Sequence, residues 1–446
     1  MMNCRLLAAP IICILLAACA GSLTPPSQGG LLGKQSSATL YAFGSSNSPA
    51  QDGAEPKGSL TLALAGGKPA IYGRTAIGGS NNCGIIFSIN PTGTQYQVLY
   101  RFLGTDGCDP RHDAMTYDPA LNAFFGTTQG VNQQTGTTYN GGQIFSFTPG
   151  TTIPAPISSI RTFTDTPDGA QQHSSFSIDP VSGVLYGQTA AGGAKGKGLL
   201  YSIAPNGSAL THLHDFSKSE GDDPHGRIVL VGRTLWGIAR KGGASDLGTV
   251  YSYDLDTATF SVVHQFRGAP NDSAFSDHGY LTPVTIGGKV LLFGLTQCGG
   301  SGSGADACAG SSGGGDGTVF VVDISTAPAS FSVFYSFRGT ENGDGADPYG
   351  SLLFDGTYLY GTTSSGGKYD KGTVFRIAPA LPGTPSSSAV LYSFGSSPGD
   401  GARPIDNVIE YNNTLYGMTV YGGANVPSPD NSNFTGNGTV FAVPLH

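Results

Sequence analysis

Seven short turns, most of them built on Pro, punctuate the chain, and the residues that follow them are rich in side chains able to do chemistry. In chain order these residues are Lys57, Arg111, His173, His225, His278, Tyr349 and Ile405, and His112 stands beside Arg111. Four of the eight histidines thus fall at or next to one recurring position. Acids precede several of them, at Asp109, Asp223, Asp277 and Asp347. Neutral imidazoles brought together from neighbouring elements can ligate a transition metal. A ring of Lys, Arg and His can instead hold an anionic sugar or a phosphate, Arg through paired hydrogen bonds and Lys as a point charge. The plainest alternative is a set of polar groups that line a wet channel mouth and bond to turn backbones. The residues are therefore read as a ligand-contacting rim, and neither a resident metal nor a cofactor is assigned.

Other chemistries find little footing. No G-x-S-x-G elbow presents a nucleophile. The Gly-rich stretch 310–317 follows no strand-to-helix pattern and lacks the Lys-Ser/Thr of a phosphate loop. Acid-rich turns such as Asn342-Gly343-Asp344-Gly345-Ala346-Asp347 resemble calcium loops, but their spacing is not that of an EF-hand, and Asp and Gly are ordinary turn formers.

The elements that must position the rim are set by an internal repeat. The phrase aromatic-Gly-x-Thr occurs at Tyr72, Phe125, Tyr186, Phe293, Tyr360 and Tyr416, with a seventh copy at Trp236 whose last residue is Ala239. The period is about 57 residues, close to one kelch-type blade of four strands. The best preserved unit runs Asp344-Gly345-Ala346-Asp347-Pro348, then Leu359-Tyr360-Gly361-Thr362-Thr363, Gly366-Gly367, Gly372-Thr373-Val374-Phe375 and Leu391-Tyr392-Ser393-Phe394. Four runs of β-branched and aromatic residues separated by Gly, Asp and Pro read as four strands. Seven such units predict an all-β, seven-bladed β-propeller with kelch-like four-stranded blades, spanning residues 38–446. The segment Ala38-Thr39-Leu40-Tyr41-Ala42-Phe43 matches a fourth strand, and the last unit stops after its third, Gly438 to Val443. The N-terminal strand is therefore predicted to complete the final blade and close the ring. Tyr41 and Phe394, at strand ends, are read as core.

Composition agrees. The 446 residues include 69 Gly and only 12% charged residues, with a net charge of −8. High Gly and sparse charge exclude a coiled coil, a helical bundle and a disordered polyampholyte. No basic footprint for nucleic acid is present, and none is expected as a partner.

The first 18 residues read as a signal peptide, with Arg5 followed by an uncharged apolar stretch from Leu6 to Ala18 that is too short to span a bilayer. Leu16-Ala17-Ala18-Cys19 resembles a bacterial lipobox, which implies lipidation at Cys19. Several acyl chains on one residue give stable anchoring where one chain is marginal. Ala20 after the cysteine, by resemblance to lipoproteins, favours the outer membrane or cell surface. Residues 19–37, rich in Gly, Ser and Pro, then form a flexible tether. Four cysteines remain in the folded part: Cys83, Cys108, Cys298 and Cys308. An even number in an exported chain suggests two disulfides, with three pairings open by count alone. In a kelch-like blade the 2–3 loop and the 4–1 connection share one face. That pairs Cys83 with Cys108 and leaves Cys298 and Cys308 to staple one loop.

These units resemble the GloVer repeats of the choice-of-anchor tandem repeat family, which read Leu-Tyr-Gly-Thr-Thr, Gly-Gly, Gly-Thr-Val-Phe. The likeness runs from Leu40 to Val443. Unit two lacks the Gly-Gly at its expected place, unit four has Ala239, and unit five carries a long insertion. The resemblance implies an exported bacterial propeller and brings neither a reaction nor catalytic residues. The functional expectation is a surface-anchored, monomeric binding or scaffold module for a glycan, a cell-wall polymer or an exported protein. The alternative is an extracytoplasmic carbohydrate-active enzyme with its site at the channel mouth.

Overall fold

The computed structural model describes residues 38–44, 51–132, 135–150, 153–164, 166–302, 308, 313–384, 386–423 and 436–445. The expected signal peptide, Cys19 and the tether lie outside these residues.

Seven four-stranded antiparallel sheets make up the fold, six of them with their strands in sequence order. Blade 1 is Thr61–Ala65, Lys68–Thr75, Ile85–Ile89 and Gln97–Arg101; blade 2 is Thr116–Asp118, Ala123–Thr128, Gln143–Phe147 and Ser158–Thr162. Blade 3 is Ser177–Ile178, Leu185–Thr189, Leu199–Ile203 and Thr211–Asp215; blade 4 is Val229–Val231, Thr234–Ala239, Thr249–Asp254 and Thr259–Gln265. Blade 5 is Thr282–Ile286, Lys289–Thr296, Thr318–Asp323 and Ser330–Ser336; blade 6 is Gly345–Phe354, Leu359–Gly366, Thr373–Ile377 and Ser388–Ser393. Blade 7 takes Ile409–Glu410, Thr414–Thr419 and Thr439–Pro444 from the C-terminal end, and Ala38–Ala42 pairs antiparallel with the last of these. Ring closure by the N-terminal strand is as the sequence indicated. Among the described residues no helix is long and apolar enough to cross a membrane.

The Gly of aromatic-Gly-x-Thr is required for space. In each blade it lies opposite an aromatic residue on the third strand, as in Gly73–Phe87, Gly237–Tyr251 and Gly361–Phe375. A Cβ at any of the seven glycines would land inside van der Waals contact of that ring. The closing Thr serves the strand end. Thr75, Thr189, Thr296, Thr363 and Thr419 each donate Oγ1 to the carbonyl two residues on, at 2.8–2.9 Å. Among the described residues, packing of the aromatic rings builds not one core but seven large ones, each between neighbouring blades. Phe43, Phe87, Tyr416 and Val440 fill the seam between blades 7 and 1, and Phe266, Phe320, Trp236 and Val250 that between blades 4 and 5.

A second device runs through all seven blades. The fourth strand carries a polar ring or base two residues before its terminal Phe, and that group holds the acid of the following turn. The pairs are Tyr41–Asp52, Tyr100–Asp106, Arg161–Asp168, His214–Glu220, His264–Asp272, Tyr335–Asp344 and Tyr392–Asp400. Asp344 also accepts from the backbone N–H groups of Arg338 and Gly345, so the calcium-like turn spends its oxygens internally. These anchored turns set where each innermost strand begins, and hence where the rim residues lie.

Candidate functional site

Counting from the anchored acid gives the register of the rim. Five residues after it come Lys57, Arg111, His173, His225, Asp277, Tyr349 and Ile405 in blades 1 to 7. Two residues before each of these stands a left-handed backbone position: Glu55, Asp109, Gln171, Asp223, Phe275, Asp347 and Arg403, with φ between 50° and 61°. His278 is therefore not in register with His173 and His225 as the sequence suggested. Asp277 holds that position, and His278 follows in register with His112. Blade 5 has no Pro in this turn to mark the register, and the constant offset of five from the anchored acid is the signal that does.

The slip matters because the position shared by His112 and His278 points elsewhere. Both have left-handed backbones, φ 64° and 59°, a conformation unusual for residues other than Gly. The equivalent residues in blades 1, 4 and 6 are Gly58, Gly226 and Gly350, where neighbouring backbone leaves little room for a side chain. From blades 2 and 5, which are not neighbours, the rings of His112 and His278 stack with centroids 3.6 Å apart and planes 8° from parallel. His173 and His225, from the adjacent blades 3 and 4, stack at 4.3 Å. The two pairs abut, with His112–His173 at 5.1 Å and His225–His278 at 5.2 Å. Four imidazoles thus converge in one layered block, each 6–8% exposed.

Buried polar groups hold the block from below. Arg74, fully buried, donates to the carbonyls of Thr127, His112 and Asp113 at 2.8–3.0 Å. The N–H of His112 donates to the Lys57 carbonyl at 2.6 Å. Gln129 Nε2 lies 2.9 Å from Nε2 of His173. His225 has both nitrogens engaged, Nδ1 with Asp277 and Nε2 with Asp223, each at 2.7 Å. Arg240 bridges the same two acids at 3.2–3.3 Å.

The electrostatics divide the four rings. Burial, with the other imidazoles and Arg111 adding to it, pushes His112 and His173 well below the ordinary histidine range. His278 falls to about 3, mainly by burial. Burial opposes charging of His225 too, but its two carboxylate partners outweigh that and hold its pKa at about 9. At neutral pH the block is one imidazolium locked between two carboxylates and three neutral imidazoles. Nδ1 of His112 and Nδ1 of His278 are buried without a hydrogen-bond partner among the described residues.

Above the block opens a cleft of about 280 Å³ lined by Lys57, Arg111, His112, Asp277, His278, Tyr349, Arg403, Ile405, Val420 and Tyr421. Lys57 and Arg111 are paired with Glu55 and Asp109, each at 2.5 Å. The guanidinium of Arg403 has no hydrogen-bond or ion-pair partner among the described residues. All seven rim candidates (Lys57, Arg111, His112, His173, His225, His278 and Tyr349) line the cleft or form the block beneath it. Arg403, Asp277 in its register, Arg240, Gln129 and Arg74 were not picked out as functional from the sequence. Arg403 was detectable, because it reverses the charge at a position where four other blades carry Glu or Asp.

The cysteines pair as expected. Cys83–Cys108 joins the 2–3 loop of blade 1 to the turn entering blade 2, and Cys298–Cys308 staples the loop of blade 5. Two buried disulfides fit an oxidising, extracytoplasmic compartment.

Three solved structures give the scale of the structural likeness. The GH74 enzyme of Niastella koreensis aligns at 15% identity and TM-score 0.47, covering 80% of this chain and 47% of that one. A puromycin-hydrolysing peptidase of Mycobacterium tuberculosis aligns at 12% and 0.45, covering 91% and 55%. TolB of Acinetobacter baumannii aligns at 13% and 0.39, covering 72% and 60%. The chain spans less than two thirds of each, and none of these likenesses brings an activity to it. No curated protein matches. At the level of sequence, the Gloeobacter/Verrucomicrobia repeat matches residues 126–308 and 307–446. The two matches together cover well over half of the chain, which therefore belongs to the Gloeobacter/Verrucomicrobia repeat family and folds as a seven-bladed β-propeller.

Proposed function

We propose that this protein is an exported, lipid-anchored binding module that captures acidic groups of an extracellular polymer, such as uronate carboxylates, in the cleft at its channel mouth. The observation that carries the reading is Arg403. Lys57 and Arg111 spend their charge on neighbouring acids, whereas Arg403 faces the same cleft with its planar donors unspent. A guanidinium in that state fits a carboxylate bidentately. Tyr349 and the two neutral imidazoles, His112 and His278, add polar contacts without adding repulsion to a bound anion. Membrane attachment rests on the lipobox-like Leu16-Ala17-Ala18-Cys19 and would keep the cleft at the cell surface.

Electrophoresis through gels containing a polyuronate, or an uncharged glucan at the same concentration, tests the reading. The protein should be retarded by the polyuronate alone. Arg403→Glu should restore free mobility, and the polymer should leave the gel at its original length. Equal retardation in both gels, or full retardation of the Arg403→Glu variant, would overturn it. Shortened polyuronate would favour the carbohydrate-active enzyme. Cys19→Ala should move the protein from the membrane to the soluble fraction.

A further inference from the structure

We propose that His112, His173 and His278 form a binding site for a late first-row divalent metal ion, such as Cu²⁺ or Zn²⁺, at the floor of the cleft. The inference does not rest on anion capture, which is carried by Arg403, although His112 and His278 face the same cleft. Three observations carry it.

The first is convergence. One nitrogen from each of the three rings lies within 4.8 Å of the others. Nitrogens bound tetrahedrally at a metal–nitrogen distance of about 2.0–2.1 Å are about 3.4 Å apart, so the closure needed from separations within 4.8 Å is at most about 1.4 Å, within reach of small χ changes. The rings come from blades 2, 3 and 5, so the fold and not local sequence assembles them.

The second is unspent donors. Nδ1 of His112 and Nδ1 of His278 are buried and have no hydrogen-bond partner among the described residues. A buried nitrogen left unpaired is costly and calls for an explanation. A metal ion satisfies both nitrogens at once. Stacking two neutral imidazoles at 3.6 Å on left-handed backbone positions is the kind of strain that persists at functional sites.

The third is the surrounding shell. Asp277 Oδ1 lies 3.2 Å from Nε2 of His278, so the carboxylate orients the ring and leaves Nδ1 as the ligand atom. This is the carboxylate–histidine arrangement of protein metal sites. Gln129 belongs to the same outer shell, its Nε2 lying 2.9 Å from Nε2 of His173. A second grouping, His225 with Asp277 and His278, also has its ligand atoms within 4.8 Å. It is the weaker candidate because both nitrogens of His225 are taken by Asp223 and Asp277. Three neutral nitrogen ligands select Cu²⁺, Ni²⁺ or Zn²⁺ over Ca²⁺ and Mg²⁺, which require oxygen. The cleft supplies the entry path.

The test uses the purified chain, stripped with a chelator and titrated with CuCl₂ at pH 7. One equivalent should bind, and the pulsed electron paramagnetic resonance spectrum should show coupling to three imidazoles. His278→Gln should weaken Cu²⁺ binding at least about 100-fold, a larger loss than the tenfold or so expected for Gln129→Leu in the outer shell. His212→Ala, which alters an exposed histidine elsewhere, should leave binding unchanged. Absence of a stoichiometric Cu²⁺ site, coupling to fewer than three imidazoles, or unchanged affinity in a folded His278→Gln protein would overturn the proposal. If that variant does not fold, the imidazole count in the unsubstituted protein decides the matter. Loss of polyuronate retardation without loss of Cu²⁺ binding would refute only the anion reading.

Discussion

Replacing Asp347 by Asn should stabilise the propeller at neutral pH and leave it nearly unchanged at pH 4. Asp347 lies near the start of the first strand of blade 6, Gly345–Phe354, buried to 6% exposure. Burial raises its pKa to about 6; the hydrogen bond from Ser364 and the charge of Arg403 act against that rise without cancelling it. An aspartate in the unfolded chain titrates near 3.9. Because the folded pKa is the higher one, the stability linked to this group is complete below about pH 4 and is lost as the pH rises through about 6. A displacement of about two pKa units corresponds to about 3 kcal/mol at pH 7.5. Asn keeps an oxygen to accept from Ser364, tolerates the left-handed backbone at this position (φ 55°) and carries no charge to bury. With an unfolding entropy of about 2.1 cal/mol/K per residue over a propeller of this size, the gain amounts to a rise in Tm of about 3–4 °C. Differential scanning calorimetry of both proteins at pH 4 and pH 7.5 measures it. The deciding quantity is the difference between the two pH values. An equal Tm shift at both, or a destabilised Asn variant at pH 7.5, would refute the assignment of a buried, proton-holding carboxylate.

Three further predictions concern the devices that hold the site. Gly361→Ala places a Cβ 2.7 Å from Phe375 Cζ and should cost about 1–3 kcal/mol in urea unfolding, with part of the loss recovered when Phe375 is also changed to Leu. Cys83→Ser with Cys108→Ser opens a loop of 25 residues and should lower stability by about 3 kcal/mol, whereas the unsubstituted protein should show the same loss only under reducing conditions. His225→Ala leaves Asp223 and Asp277 with Arg240 between them, Lys241 3.6 Å from Asp223 and the neutral ring of His278 3.2 Å from Asp277. It should destabilise the fold by about 3–5 kcal/mol by chemical denaturation, while His225→Lys, which restores a cation, should recover much of that loss.

Period and strand count were legible because each blade repeats the same packing problem. The Gly of Tyr360-Gly361-Thr362-Thr363 recurs wherever a third-strand ring needs its space, so the motif marks each second strand directly. The complementary ends, Ala38–Ala42 and Thr439–Pro444, announced closure because an unpaired fourth strand at one terminus and a missing one at the other have one economical solution. Disulfide pairing followed from which loops share a face. The acid of each turn looked like a chain breaker, yet its larger role is tertiary. Its partner, such as Tyr335 for Asp344, lies on the preceding strand and binds it only once the sheet has formed.

The rim shows where linear reasoning stops. That histidines gather near one recurring position is a property of the sequence. That Asp277, and not His278, occupies that position depends on the turn's anchoring acid, Asp272, which the spacing of histidines alone does not reveal. Which rings touch was decided by three-dimensional closure: His112 and His278 are 166 positions apart and belong to non-neighbouring blades, and they stack because left-handed backbones carry both into the centre of the ring. The charge states were decided there as well. His225 and His278 are the same residue type, but one is held between two carboxylates and the other is desolvated beside only one, so burial leaves the first protonated and the second neutral.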